Sequence, residues 1–287
     1  MQINSRTRLV GVIGWPIEHS LSPLMQNAAI EALGLNWVYT ASAVNPNAVA
    51  EAIAGARALG YVGLNVTIPH KQAALASMDE LDPEAAAIGA INTIHFTDGG
   101  AVGYNTDASG FTRTLAEDAG FDLRGKTMLQ LGAGGAGHAM VAGAAAAGAS
   151  RIIIHDVRLQ AAAELAKHMA EHYPDCRFES TGGMEGLPGA AAAADLISNA
   201  TPLGMKPADP MPIDEQCLES RHVVFDAIYR PYRTGLIQAA ARKGARTVSG
   251  LGMLARQGCK SLSIWTGMQP DERLMLRTLK EALEINE

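Results

Sequence analysis

Residues 126–156 read "KTMLQLGAGGAGHAMVAGAAAAGASRIIIHD". An apolar run with strand character ends at Leu131, a glycine cluster follows, and an alanine-rich helical run leads to a second β-branched run ending in Asp156. Gly132, Gly134 and Gly137 fit the spacing G-x-G-x-x-G where the helix begins. Each glycine has a physical role: the first allows a tight turn, the second gives backbone room to approach a pyrophosphate, and the third lets helix pack closely against strand. Gly135, Ala136 and Gly137 open the helix, so their amide N–H groups and the positive end of the helix dipole face an anion. Asp156, nineteen residues past Gly137, stands where an adenosine ribose presents its hydroxyls. A carboxylate there accepts their hydrogen bonds and repels a 2′-phosphate. Asp at that position also caps the next helix, and the two duties are compatible.

The alternation continues to the C-terminal side. Helical "RLQAAAELAKHMAEHY" is followed by the strand-like runs "DLISNAT", "HVVFDAIY" and "RTVSG". Residues 108–249 therefore read as a Rossmann-like, doubly wound dinucleotide-binding domain. On the N-terminal side, "RLVGVIG", "SPLMQNAAIEALG", "NWVYTASAV", "NAVAEAIAGARALG" and "YVGLNVTI" (61–68) give a βαβαβ order. That order predicts a second α/β domain with a mostly parallel sheet over 1–107. Helices are expected at 71–79 and 83–88, then a short strand in "AINTIHF" and a Gly-Gly turn at 99–100, after which "AVGYNTDASGF" breaks the pattern. The helices of 250–287 are expected to complete the N-terminal domain. The alanine runs 144–147 and 190–194 read as helix, since Ala is the best helix former and allows close helix–sheet packing.

The chain has 287 residues, 48% hydrophobic and 18% charged, which suits two packed α/β domains rather than a disordered or coiled chain. A formal net charge of −6 and the lack of a dense Lys/Arg stripe argue against a nucleic-acid partner. No apolar run of membrane-spanning length and no export signal occur, so the expected location is the cytoplasm. Cys176, Cys217 and Cys259 are widely spaced without a CxxC pair and are expected as buried, reduced thiols. His19, His70 and His95 share no ligand spacing, and no metal is expected. Nothing in the sequence sets an oligomeric state.

Polar residues interrupt the apolar runs of the N-terminal half. "HSLSP" holds Ser20 and Ser22 before Pro23, a helix-start pattern in which Ser22 is the expected cap. Two hydroxyls beside a helix N-terminus also make a receptor for a small carboxylate. In "GLNVTIPHK" (63–71) a strand delivers Asn65 and Thr67 to its carboxyl end, and Pro69 turns the chain into a helix whose first turn carries Lys71. Asn92, Asp107 and Gln257 lie in similar polar breaks. Alone, Lys71 reads as a solvated lysine and Asp107 as a turn residue.

Taken in order, "GVIGWPIEHSLSP", "NVTIPHK", "IGAINT", "GYNTD", "GAGGAG", "NATPLGM" and "GLGMLARQG…WTG" resemble the shikimate and quinate/shikimate dehydrogenases over nearly the whole chain. The resemblance implies a reversible, nicotinamide-dependent oxidation of shikimate to 3-dehydroshikimate. Ser20 and Ser22 would hold the substrate carboxylate. Thr67, Asn92 and Gln257 would hold the ring hydroxyls, with Asn65 also substrate-binding and Tyr229 lining the site. Lys71 and Asp107 would be the catalytic pair. Lys71 would pass the alcohol proton while the cofactor takes the hydride. A catabolic, NAD-dependent quinate/shikimate dehydrogenase is the alternative within the class. A catalytically idle dinucleotide sensor is the alternative outside it, and such a protein has no use for Lys71 and Asp107. The chain departs from the family pattern at Ala108, at "YRPYRTGL" (229–236) and at Asp156, Val157 and Arg158, where many members carry Asn-Arg-Thr for a 2′-phosphate. NAD is therefore expected to be preferred, with NADP possible through Arg158.

Overall fold

The computed structural model describes residues 3–285, and the chain divides into two compact units. One contains the residues up to Thr106 and those from Ala255 onward; the other is Asp107–Leu254.

In the first unit, β1 (Arg8–Gly14) is buried from Val10 to its end, as its continuous apolar run requires of a strand covered on both faces. α1 (Ser22–Ala32), β2 (Trp37–Ala43), α2 (Val49–Ala58) and β3 (Tyr61–Val66) complete the expected βαβαβ segment. The two-residue β4 (Glu80–Leu81), α3 (Pro83–Ile88), β5 (Thr93–Thr97) and β6 (Gly100–Tyr104) follow. The strand order is β2-β1-β3-β5-β6-β4; β1 runs parallel to β2 and β3, while β5 runs antiparallel to both β3 and β6.

Several sequence expectations are corrected here. The turn is Asp98-Gly99, a two-residue hairpin dipeptide, so Gly100 already belongs to β6 and "AVGY" continues the sheet. The expected helix at 71–79 shrinks to one 3₁₀ segment, Ala73–Ser77. Its continuation is pulled into extended form because Asp79 exchanges two bonds with Ala101: Asp79 N–H donates to the Ala101 carbonyl, and Ala101 N–H donates to Asp79 Oδ2 at 2.7 Å. β3 ends at Val66, two residues early, because Pro69 has no N–H and His70 N–H turns back to the Thr67 carbonyl.

The second unit opens with α4 (Asp107–Ala119), where a break was expected; Phe111, Thr114 and Leu115 form its buried face. β7 (Thr127–Leu131), α5 (Gly135–Ala146), β8 (Arg151–His155) and α6 (Leu159–His172) follow the pattern read from sequence. β9 (Arg177–Ser180) is an unforeseen edge strand. α7 (Leu187–Ala193), β10 (Leu196–Asn199), β11 (Val223–Asp226), the unforeseen α8 (Gly235–Arg242) and β12 (Arg246–Ser249) complete the unit. Its sheet is wholly parallel, in the order β12-β11-β10-β7-β8-β9. The order reverses between β7 and β10, where open α/β sheets leave a crevice at the carboxyl ends of the strands.

The chain ends in α9 (Leu251–Thr266) and α10 (Glu272–Ala282). From Ala255 onward they belong to the first unit. Trp265 Nε1 donates to the Ile94 carbonyl at 2.9 Å, in space that a side chain at Gly63 would fill, and Gln26 Nε2 donates to the Gly258 carbonyl at 3.0 Å. α10 packs on α1 through the fully buried Met275 and Leu279. All three cysteines are free; Cys176 and Cys259 are buried, and Cys217 is only partly so. Among the described residues, no helix is long and apolar enough to cross a membrane.

Candidate active site

The β5–β6 hairpin determines which residues meet in the first unit. Because β5 runs against β3, its start lies at the carboxyl end of β3; because β6 reverses again, its end returns to the same edge. Asn92, before β5, and Thr106, after β6, therefore join the residues leaving β1 and β3. Thr67 N–H donates to the Ile13 carbonyl at 3.0 Å, and Trp15 N–H to the Ile68 carbonyl at 3.0 Å, so these two strand exits are tied together. Val66 N–H donates to the Asn92 carbonyl at 2.8 Å, and Ile91 N–H to the Lys71 carbonyl at 2.9 Å. Ser20, Ser22, Thr67, Lys71 and Asn92 thus share one edge of the sheet, and α9 brings Gln257 to Asn92.

Ser20, not Ser22, serves the start of α1. Ser22 is already helical and nine-tenths buried, and its N–H donates to Ser20 Oγ at 3.3 Å. Lys71 lies in the turn before the short 3₁₀ segment rather than in a helical first turn. His70 is 1% exposed, with Nε2 2.8 Å from the Val44 carbonyl, and burial lowers its pKa. It anchors this turn from beneath.

The amides of Asn65 and Asn92 are engaged inside the protein. Tyr39 Oη donates to Asn65 Oδ1 at 2.8 Å, and Asn65 Nδ2 reaches the Asn92 carbonyl, Thr93 Oγ1 and Ser261 Oγ, each at 3.0 Å. Asn65 therefore ties β3 to β2, to the start of β5 and to α9. Asn92 Oδ1 accepts the backbone N–H of Thr106 at 2.8 Å, which fixes the sense of its amide. Its Nδ2 then donates to Thr106 Oγ1 at 2.8 Å and to Gln257 Oε1 at 3.2 Å. Tyr39, Thr93, Thr106 and Ser261 were not singled out from sequence; as polar residues scattered in apolar elements they carry no local pattern.

In the second unit, Gly132 has φ +95, a left-handed value suited to glycine, and its N–H donates to the His155 carbonyl at 2.7 Å. A Cβ on Gly137 would fall on the Gly132 carbonyl oxygen, whereas one on Gly134 would meet nothing within 4 Å. The third glycine closes the turn against the helix and the second leaves open backbone, as a bound pyrophosphate requires. Asp156 Oδ2 accepts Ala133 N–H at 2.8 Å, and Oδ1 accepts Arg158 N–H at 2.8 Å with the guanidinium 3.4 Å away. Burial would raise the pKa of Asp156, but these donors and the positive charge outweigh it and hold the carboxyl below its ordinary range. These residues fit a dinucleotide.

Two further groups support the crevice. A Cβ on Gly132 would meet Thr201, which is held by Asn199 Oδ1, the acceptor of both its N–H at 3.0 Å and its hydroxyl at 2.7 Å. Asn199 Nδ2 in turn donates to Asp226 Oδ1 at 2.9 Å. Asp226, wholly buried, also accepts Ile228 N–H at 3.1 Å and the Thr234 hydroxyl at 2.6 Å. Burial pushes its carboxyl up despite these donors. Asp107 is the buried first residue of α4, and Tyr229 lies partly buried in the segment after β11.

Residues 12–94 match the shikimate dehydrogenase substrate binding domain, and residues 250–280 match the shikimate 5′-dehydrogenase C-terminal domain. A curated relative named shikimate dehydrogenase (NADP(+)), from Geobacter metallireducens, is 43% identical over 99% of this chain and 100% of its own length. A shikimate dehydrogenase solved in complex with NADP+ has a TM-score of 0.89 at 39% identity, covering 98% of each chain. The Listeria monocytogenes shikimate 5-dehydrogenase, solved with shikimate and NAD, has a TM-score of 0.85 at 34% identity, covering 99% of this chain and 98% of its own. With identity and fold both shared along nearly its full length, the chain belongs to the shikimate dehydrogenase family.

Proposed function

We propose that this protein catalyses the reversible oxidation of shikimate to 3-dehydroshikimate with a nicotinamide dinucleotide, and that NAD is preferred to NADP. The observation that carries the reaction is the gathering of Ser20, Ser22, Thr67, Lys71, Asn92 and Gln257 on one edge of the first unit's sheet. Ser20 and Ser22 offer hydroxyl donors to a carboxylate at the start of α1. Thr67 and Gln257 offer donors to ring hydroxyls, and Asn92 sets the orientation of Gln257 through their shared bond. Lys71 passes the proton: as ammonium it gives a proton to the ketone oxygen during reduction, and as amine it takes the hydroxyl proton during oxidation. We assign Asp107 as the second residue of the catalytic pair. The glycine turn and the first amides of α5 hold the pyrophosphate, and Asp156 holds the adenosine ribose. The dinucleotide, when bound, supplies the hydride acceptor or donor.

The NAD preference rests on Asp156, a buried and ionised carboxylate at the ribose position. Like charge disfavours a 2′-phosphate there, and Arg158 Nε lies 3.4 Å from Asp156 Oδ1. The Geobacter metallireducens relative carries NADP(+) in its name, so this chain would differ from it at the ribose. Steady-state assays of shikimate and quinate with each cofactor test the reading. Turnover of shikimate with NAD is expected; absence of shikimate turnover with either cofactor rejects the reaction, and a higher kcat/KM with NADP rejects the preference.

A further inference from the structure

Ser261 sits on α9 one helical turn after Gln257, is wholly buried, and reaches four partners. Asn65 Nδ2 donates to its Oγ at 3.0 Å, its Oγ lies 2.7 Å from Thr93 Oγ1 and 3.1 Å from Thr106 Oγ1, and it donates to the Gln257 carbonyl at 3.0 Å. A hydroxyl gives one hydrogen bond and accepts two. Asn65 Nδ2 donates to the Ser261 hydroxyl and that hydroxyl donates to the Gln257 carbonyl, while in its contacts with Thr93 and Thr106 either hydroxyl can be the donor. The same two threonine hydroxyls donate to Asn92 Oδ1, Thr93 Oγ1 at 3.0 Å and Thr106 Oγ1 at 3.2 Å. Ser261 is thus bonded to both hydroxyls that reach Asn92 Oδ1, which also accepts Thr106 N–H.

We propose that Ser261 is a positioning residue of the substrate site: it locks α9 to β3, to the start of β5 and to Thr106, and so sets Asn92 and Gln257 for the substrate ring. The proposal rests on the shikimate reading above. Its effect runs through segments far apart in sequence, since Ser261 is 196 residues from Asn65 and 155 from Thr106. Ser263 provides an internal control. It makes the same helical bond one turn back, to the Cys259 carbonyl at 3.1 Å, but shares none of those side-chain partners.

The test compares Ser261→Ala with Ser263→Ala in the full chain, by steady-state kinetics and by hydrogen–deuterium exchange over residues 92–106. Ser261→Ala should raise KM for shikimate about tenfold, the factor expected when buried donors lose an acceptor, with a smaller change in kcat and none in cofactor KM. Exchange over 92–106 should quicken. Ser263→Ala should leave both readouts at wild-type values. A shikimate KM within about twofold of wild type, or a rise that Ser263→Ala or the cofactor KM shares, overturns the proposal. If the wild type does not turn over shikimate, the functional reading falls and exchange decides alone: unchanged exchange in Ser261→Ala overturns the positioning role, and faster exchange confined to that variant upholds it.

Discussion

At the scale of single residues, the chemistry assigned to Lys71 and Asp156 depends on what surrounds each. Lys71 lies in a turn held by the Ile91–Lys71 backbone bond and by buried His70, so truncating its side chain leaves the scaffold in place. Lys71→Ala should lower kcat by about 10²–10⁴-fold, the range for a lost acid–base group, with a smaller change in KM. Near wild-type turnover at saturating shikimate would remove Lys71 from the proton path. Asp156 is bound to the backbone of the glycine turn as well as poised for a ribose. Asp156→Ala should cost about 10–100-fold in kcat/KM with NAD, the worth of hydrogen bonds to a charged acceptor, and cost less with NADP. Parallel assays with the two cofactors read the gap; a gap that stays the same would place discrimination elsewhere, with Arg158 the next residue to change.

At the scale of elements, the second unit shows how buried charge can organise strand ends. Asp226 closes β11 and links Asn199 at the end of β10 with Thr234, which caps α8 by accepting Ile237 N–H. Its pKa is raised in the folded state, mainly by burial. The folded protein therefore holds this proton more tightly than the unfolded chain, and ionised Asp226 costs stability at neutral pH. That cost is relieved as pH falls through the raised folded value toward the ordinary carboxylate range. Asp226→Asn keeps the shape without the charge. Relative to this variant, the wild type should gain stability on acidification. Melting curves of both proteins from neutral pH into the carboxylate range provide the measure, and a Tm difference that does not move with pH would refute the raised pKa.

At the scale of the whole molecule, the first unit is assembled from both ends of the chain. α10 buries Met275 and Leu279 against α1, the helix whose start carries Ser20 and Ser22. Leu279→Ala should cost about 2–5 kcal/mol of stability through the cavity left behind. Because the glycine turn and Asp156 lie in the other unit, cofactor affinity should be preserved under conditions where the variant stays folded. Denaturant unfolding and calorimetric titration with NAD check the two halves of this expectation. A parallel loss of NAD affinity would show that the damage is not confined to the first unit.

The sequence alone determined the second unit's central pattern and the order of the polar motifs. Both are local: β-branched runs, a glycine spacing and a strand-end acid are read within one short stretch of chain, and the order of the motifs carried the family. Other features were decided only by tertiary structure. β5 runs antiparallel to β3 and the Asp98-Gly99 turn reverses the chain into β6, which brings Asn92 and Thr106 to the same edge as Thr67; the sequence showed a turn near 99–100 but not which strands it would pair. Ser22 is not the cap of α1 because the helix begins one residue earlier than the capping pattern suggested, and its N–H turns to Ser20 Oγ instead. The bonds of Asn65 were also set there, because Tyr39, Thr93 and Ser261, from three separate elements, converge on its amide. A strand or helix is specified by the periodicity of its own residues, but the partner of a buried amide is chosen by which distant segments the packed core brings within hydrogen-bond reach.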